Sequence, residues 1–310
     1  FEHIKRRFGD KPASRYQEAS YDLAPEHNFH YRPLWQPDKL LYDKSRTAVV
    51  MEDWYVYKDP RQYYYGTYVQ ARARLQEVTE NNYAFFDKRN LADGISDEVR
   101  QKITRCLLPL RHLELGANMN NMFACAYGTA TVVTQGFLFN AMDRLGIAQY
   151  LSRIGLLLDG NSGDSLTAAK ETWMTDPAWQ GIRRYIENVL CLEDWFEVYI
   201  AQDVVLDTLV YDLMYNQFDQ SITAAGGSDV AMLIEFMQEW HKDTSRWVDS
   251  VLKTTVAESE HNKEVIAQWV TDWKEKAVTD LAPLAEIAVG DDAMQACVGA
   301  LDQRLAKAGL

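Results

Sequence analysis

Hydrophobic positions recur along most of the chain at the three-and-four spacing of amphipathic helices, and no stretch shows the alternation of a half-buried strand. The pattern is most continuous over residues 109–150. Leu107, Leu110 and Leu113, then Val132, Val133, Phe137, Leu138, Met142 and Leu145, repeat on more than one side of a helix. No Asp, Glu, Lys or Arg lies between Leu115 and Met142. Helices patterned this way are packed over most of their circumference. Asn118, Asn120, Asn121, Gly128, Thr131, Thr134, Gln135 and Asn140 interrupt the run. Hydrocarbon would leave those amides and hydroxyls unpaired, so this is not a membrane span. It predicts the inner hairpin of a soluble bundle, turning at Gly128 and Thr129 and ending near Leu158.

The other elements follow from start and stop signals. Asp59 and Pro60 suit an N-cap and a first-turn proline, which predicts a helix from there to about Asp87. Ser96-Asp97-Glu98 has the small-polar and acidic character of the next N-terminus, and residues 159–164 read as a loop. A short helix is predicted over 165–174. Another starts at Asp176-Pro177, breaks near 191–194 and runs to about Phe218; its Arg183, Arg184 and Glu187 form a solvated or partner-facing stripe. Helices over 229–253, 258–288 and 291–307 complete an all-α chain with two antiparallel hairpins at its centre.

The first 57 residues break the pattern. Phe8, Tyr16, Tyr21, Phe29, Tyr31, Trp35, Tyr42, Trp54, Tyr55 and Tyr57 follow no period, and five of the eight prolines fall in the first sixty positions. This predicts an extended aromatic-rich arm over 1–57 ahead of a helical domain over 58–310. Tyr, Trp and Arg are favoured at interfaces, so the arm lies either on a partner or along its own bundle. The partner reading singles out Phe29, Tyr31, Trp35, Trp54, Tyr55 and Tyr57, with Arg61 and Tyr64 just beyond, and expects the arm to do little for the bundle's own fold. Charge favours it. The chain carries a net charge of -13, yet its first sixty residues hold ten basic and ten acidic side chains, so the arm alone is neutral. The same total argues against nucleic acid, whose affinity comes from neutralising phosphates. Four widely spaced cysteines without a CxxC pair predict reduced thiols. No apolar run follows Lys5-Arg6-Arg7, which predicts no secretory leader and a cytoplasmic protein.

Asp53-Trp54, the run Lys58-Asp59-Pro60-Arg61-Gln62-Tyr63-Tyr64-Tyr65-Gly66-Thr67-Tyr68-Val69, and Thr175-Asp176-Pro177-Ala178-Trp179-Gln180 with Arg183-Arg184 resemble the β subunit of bacterial multicomponent monooxygenase hydroxylases, above all those acting on phenol. The resemblance runs essentially end to end. It implies a ferritin-like, ribonucleotide-reductase-like helical bundle and a hydroxylase built as a pair of αβγ protomers. It also implies a di-iron centre in the α subunit, none in this chain, and transient partners in a regulatory protein and an NADH-dependent reductase. Paired iron in that fold is held by two single glutamates and two Glu-x-x-His pairs. Carried onto this sequence, the resemblance places the first glutamate at Ala117 and the second pair at Ile147 and Tyr150. The third glutamate falls near Gln202 or Asp203, and the last pair near Phe236 and Glu239. At least three ligand positions are then lost, which no di-iron site survives.

Other candidates are weaker. Glu258-Ser259-Glu260-His261 is a literal Glu-x-x-His with no second pair to face it, and reads as a solvated helix start. His112 and Glu114, two apart, do not share a helical face. His241 reads as a bland position on an amphipathic helix. His3, His27 and His30 lie in the arm, where Glu26 and His30 could chelate only in a helix that Pro25 disfavours. No phosphate loop, nucleophile triad or nucleotide fingerprint occurs. The leading expectation is a non-catalytic scaffold of an NADH-driven aromatic monooxygenase. Its rivals are a self-sufficient di-iron oxidase or radical-generating reductase subunit of the same fold, and a free-standing helical adaptor.

Overall fold

The computed structural model describes residues 2–23 and 34–310, and the anchors proposed at Phe29 and Tyr31, with His27 and His30, lie outside them. Among the described residues every regular element is helical: α1 (Glu2–Phe8), α2 (Arg15–Ser20), α3 (Tyr65–Lys88), α4 (Asp97–Lys102), α5 (Leu110–Tyr127), α6 (Thr131–Leu158), α7 (Asp164–Thr175), α8 (Pro177–Val189), α9 (Trp195–Tyr199), α10 (Asp207–Asp212), α11 (Phe218–Ala224), α12 (Ser228–Glu258), α13 (Glu260–Ala288) and α14 (Ala293–Ala308). None is long and apolar enough to cross a membrane.

Most boundaries lie where the capping residues put them. Ser96 accepts from the Val99 N–H to open α4, Asp176 from Ala178 to open α8, and Asp194 from Phe196 and Glu197 to open α9. The start of α3 differs from its prediction. Asp59 caps only a turn: its carboxylate accepts from the Arg61 N–H at 2.8 Å and pairs with the Arg61 guanidinium at 2.9 Å. Pro60 stays outside the helix, which begins at Tyr65. A local side-chain bond has outcompeted the helical one.

α5 and α6 form the predicted hairpin, held in register by Asn118, whose amide donates to the Ala141 carbonyl at 2.7 Å. Gly136 on α6 lets Trp247 of α12 lie against the backbone; a Cβ there would come within 2.3 Å of the indole. The innermost element is not this hairpin. α9, α10 and α11 are one helix interrupted by π turns at Ile200–Leu206 and Leu213–Gln217, and every residue from Val198 to Tyr211 is buried. Asp203 and Asp207 within it hid that fact from the hydrophobic pattern.

The arm is neither featureless nor loosely attached. It contains α1 and α2, and Ile4, Tyr16, Tyr21, Val49, Met51, Trp54 and Tyr57 belong to the main core. Its backbone is tied to the bundle by side chains. The Asn262 amide accepts from the Val50 N–H at 2.9 Å and donates to the Val50 carbonyl at 2.8 Å, much as a neighbouring strand would. Glu258 accepts from the Glu52 N–H at 2.8 Å and Asp194 from Ala48 at 2.7 Å. The expectation that residues 1–57 add little to the fold is therefore corrected. Their aromatics cannot make a core alone, but they complete one that the α9, α12 and α13 ends leave open. The helix start at Glu258-Ser259-Glu260-His261 is exposed, as expected, and also seats the arm: His261 meets the Ala48 carbonyl at 3.0 Å, and Ser259 caps α13.

Candidate functional site

Four helices meet in the bundle centre, and each contributes polar groups to it. From α5 come Glu114, Asn120 and Asn121, from α6 Asn140 and Arg144, and from the π-interrupted helix Gln202, Asp203 and Asp207, all buried. His241 of α12 stacks on Tyr211 with ring centroids 4.3 Å apart. The spacing of 203, 207 and 211 places those side chains on one face of their helix.

The contacts form two linked sets. In the first, Arg144 Nη1 donates to Glu114 Oε2 at 3.1 Å and to the Tyr211 hydroxyl at 2.8 Å, while Nη2 pairs with Asp207. The other Asp207 oxygen accepts from Gln202 Nε2 at 2.8 Å, and Gln202 Oε1 accepts from Asn120 at 2.9 Å. In the second, Asp203 Oδ1 accepts from Asn121 at 3.0 Å and from Asn140 at 2.9 Å. Burial pushes the Glu114 carboxyl up to about 7 against the pull of Arg144, and raises Asp203 and Asp207 as well. Burial, with Arg304 and Arg144 adding to it, drives the His241 imidazole well below its ordinary range, so it stays neutral. His112 is likewise pushed down to about 4, first by burial and then by Arg111 and Lys170, and stacks on Trp173.

The positions that the resemblance assigned to lost ligands do not gather at one point. Ala117 and Ile147 are both buried, Ile147 in the apolar core, one turn beyond Glu114 and Arg144 respectively. Tyr150 turns away toward α3 and α12, where its ring meets Phe236 at 4.7 Å and its hydroxyl donates to Glu80 at 3.0 Å. It lines an open cavity of about 460 Å³ with Tyr68, Arg72, Arg153 and Trp240. Gln202 alone joins the central network, beside Asp203, and Glu239 is exposed and paired with Lys242. Two divalent cations require facing carboxylates and imidazoles with free lone pairs. In this centre Glu114 and Asp207 already serve a guanidinium, and among the described residues no three His, Cys, Asp or Glu side chains are arranged to hold a metal ion. The donor set does not fit a metal pair.

The proposed partner anchors separate into two groups. Trp54 and Tyr57 are 3% and 1% exposed; Trp54 packs on Trp195 and Tyr57 bonds Thr255, so they build this chain's core rather than a partner surface. The Arg61 side chain is closed off by Asp59 and Asp243. Tyr55 and Tyr64 are half-buried, and Trp35 remains 43% exposed against Phe123. Among the described residues, a surface is left uncovered where burial was expected. Leu115, Met119 and Met122 of α5 and Met142 and Leu145 of α6 are each 38–49% exposed. The Asn118–Ala141 register sets these rows side by side, giving an uncharged apolar face. Spacings of 115, 119, 122 and of 142, 145 are the stripe of one helix face, so the signal was present, but spacing cannot tell a covered stripe from an open one.

The sequence profile of the methane/phenol/alkene hydroxylase family matches residues 35–259. The chain belongs to that family. It is 54% identical to the phenol 2-monooxygenase oxygenase component DmpL of Pseudomonas sp. strain CF600 over 99% of this chain and 93% of that one. Its identity to the oxygenase component MhpL of Acinetobacter pittii strain PHEA-2 is 52%, over 100% and 93%. Among solved structures, a chain of the xenon-pressurised phenol hydroxylase from Pseudomonas sp. OX1 superposes with a TM-score of 0.97 at 47% identity, covering 100% of this chain and 94% of that one. The ferritin-like helical bundle expected for the family is thus the fold of this member.

Proposed function

We propose that this chain is the non-catalytic β subunit of the hydroxylase component of a cytoplasmic, NADH-dependent phenol monooxygenase. In this reading it scaffolds an α subunit that holds the di-iron centre, alongside a small γ subunit in a pair of αβγ protomers. A regulatory protein and a reductase visit transiently. The α subunit's iron activates oxygen and hydroxylates the arene, while this chain supplies shape and stability. The relatives support the setting, since they are oxygenase components of phenol 2-monooxygenases.

One observation carries the scaffold role: the open apolar face of the α5–α6 hairpin. A lone soluble protein rarely leaves contiguous Leu and Met uncovered without a partner for them. Absence of charge across that face removes the desolvation cost that a carboxylate or ammonium would impose on association. The central donor set adds support, because Glu114 and Asp207 are already paired with the Arg144 guanidinium.

Introducing Met119→Lys with Met142→Lys, co-expressed with the other hydroxylase chains, tests the proposal. The variant should fold, keep its helical circular dichroism and fail to co-purify with the iron-containing chain. Normal co-purification would overturn the assignment of that face. Stoichiometric iron on the isolated wild-type chain would overturn the non-catalytic reading itself.

A further inference from the structure

We infer that Arg144 is a built-in counter-cation, whose guanidinium holds together the carboxyl groups at the bundle centre and closes that centre to metal. The inference rests on the metal-free part of the reading above and is independent of which partners the subunit meets.

The geometry has three parts. First, Arg144, Glu114 and Asp207 come from α6, α5 and the π-interrupted helix, so a single guanidinium joins three separate elements where no backbone bond does. Second, the residue type suits the task. Arginine keeps its charge at all accessible pH and offers a planar fork that reaches two carboxylates at once, whereas a lysine presents a single point charge without the fork. Third, the carboxylates are already engaged. Glu114 Oε2 faces Arg144 and Oε1 accepts from Tyr211 at 3.4 Å, while the Asp207 oxygens face Arg144 and Gln202. A second cation would meet a fixed positive charge with no solvent between them and few free lone pairs.

The charge balance has a consequence. Glu114 faces inward from α5, Arg144 from α6, Asp203, Asp207, Tyr211 and Tyr215 from the interrupted helix, neutral His241 from α12 and, farther out, Arg304 from α14. Arg304 is committed to Asp249 and Thr208. Three buried carboxyls thus stand around one guanidinium, which touches Glu114 and Asp207 while Asp203 is held by Asn121 and Asn140, and the centre balances by keeping a proton among them. The Arg144 Nε has no partner, so the guanidinium is held through its two terminal nitrogens alone.

The test replaces Arg144 in the full-length chain. Arg144→Met should lower Tm at pH 7.5 by about 10 °C, because two buried carboxylates lose their partner. Its Tm should fall more steeply than wild type from pH 5.5 to 8, since protonation is then the sole route to neutrality. Arg144→Lys should recover part of the loss. If Arg144→Met does not fold, the triple variant Glu114→Gln/Arg144→Met/Asp207→Asn decides, and should restore a cooperative transition. Wild-type stability of Arg144→Met at pH 7.5, or a triple variant no better than the single one, overturns the counter-cation while leaving the subunit reading intact. Stoichiometric Fe(II) or Co(II) bound by the wild-type chain and lost in Asp203→Asn would overturn both.

Discussion

The arm and the outer face of the α5–α6 hairpin reverse the roles that their compositions suggest. The arm is dense in aromatics, the residue class most favoured at interfaces, yet Tyr16, Tyr21, Trp54 and Tyr57 are consumed inside this chain. The hairpin face holds only leucines and methionines, within a helix pair patterned for complete burial, and it is the surface left open. Residue type reports how much area a side chain can bury. Which molecule buries it depends on the neighbours, and the arm has the ends of α12 and α13 beside it while no described residue covers the hairpin face.

The largest effect that would break this comparison comes from the arm. Trp54→Ala should destabilise the isolated chain by about 3–5 kcal/mol, as loss of a packed indole does. A denaturant midpoint equal to wild type would return the arm to the role of a partner-binding strap. Next is the buried centre beneath the hairpin. The Glu114 carboxyl, raised by burial from 4.5 to about 7, is protonated more readily folded than unfolded, so its contribution to stability is full below about 4.5 and lost as pH rises through 7. Glu114→Gln should flatten the stability–pH curve over that window by an amount on the order of 3 kcal/mol. An unchanged curve would show that Glu114 stays ionised throughout.

A smaller effect sharpens how the arm is held. Asn262→Ala should cost about 1–3 kcal/mol, because both the Val50 N–H and its carbonyl lose their partner. Hydrogen exchange at Val50 should quicken accordingly, and protection equal to wild type would mean that apolar packing alone seats the arm. The smallest effect on the fold belongs to the open face. Met119→Lys should shift the stability of the isolated chain by no more than about 0.5 kcal/mol, as surface changes do. A loss of several kcal/mol would show that the face is covered by this chain itself.

The sequence by itself determined the helices. Their caps, loops and apolar periods are local, so Ser96, Asp176, Asp194 and the loop at 159–164 marked boundaries without reference to anything distant. Family membership was legible for a related reason: the run from Lys58 to Val69 and the block around Asp176-Pro177 are contiguous stretches. The start of α3 escaped because two local signals competed, and the Asp59–Arg61 bond won. What the tertiary structure alone decided is every question of which side faces what. Glu114, Arg144 and Asp207 are far apart in sequence, and no spacing announces that one guanidinium will join them. The ligand positions carried over at Ala117, Ile147, Tyr150 and Gln202 mark helix positions, but the twist of each helix, including the π turns, decides which of them reach the centre. An apolar stripe promises burial, and only the arrangement of the other helices shows whether this chain or another must provide it.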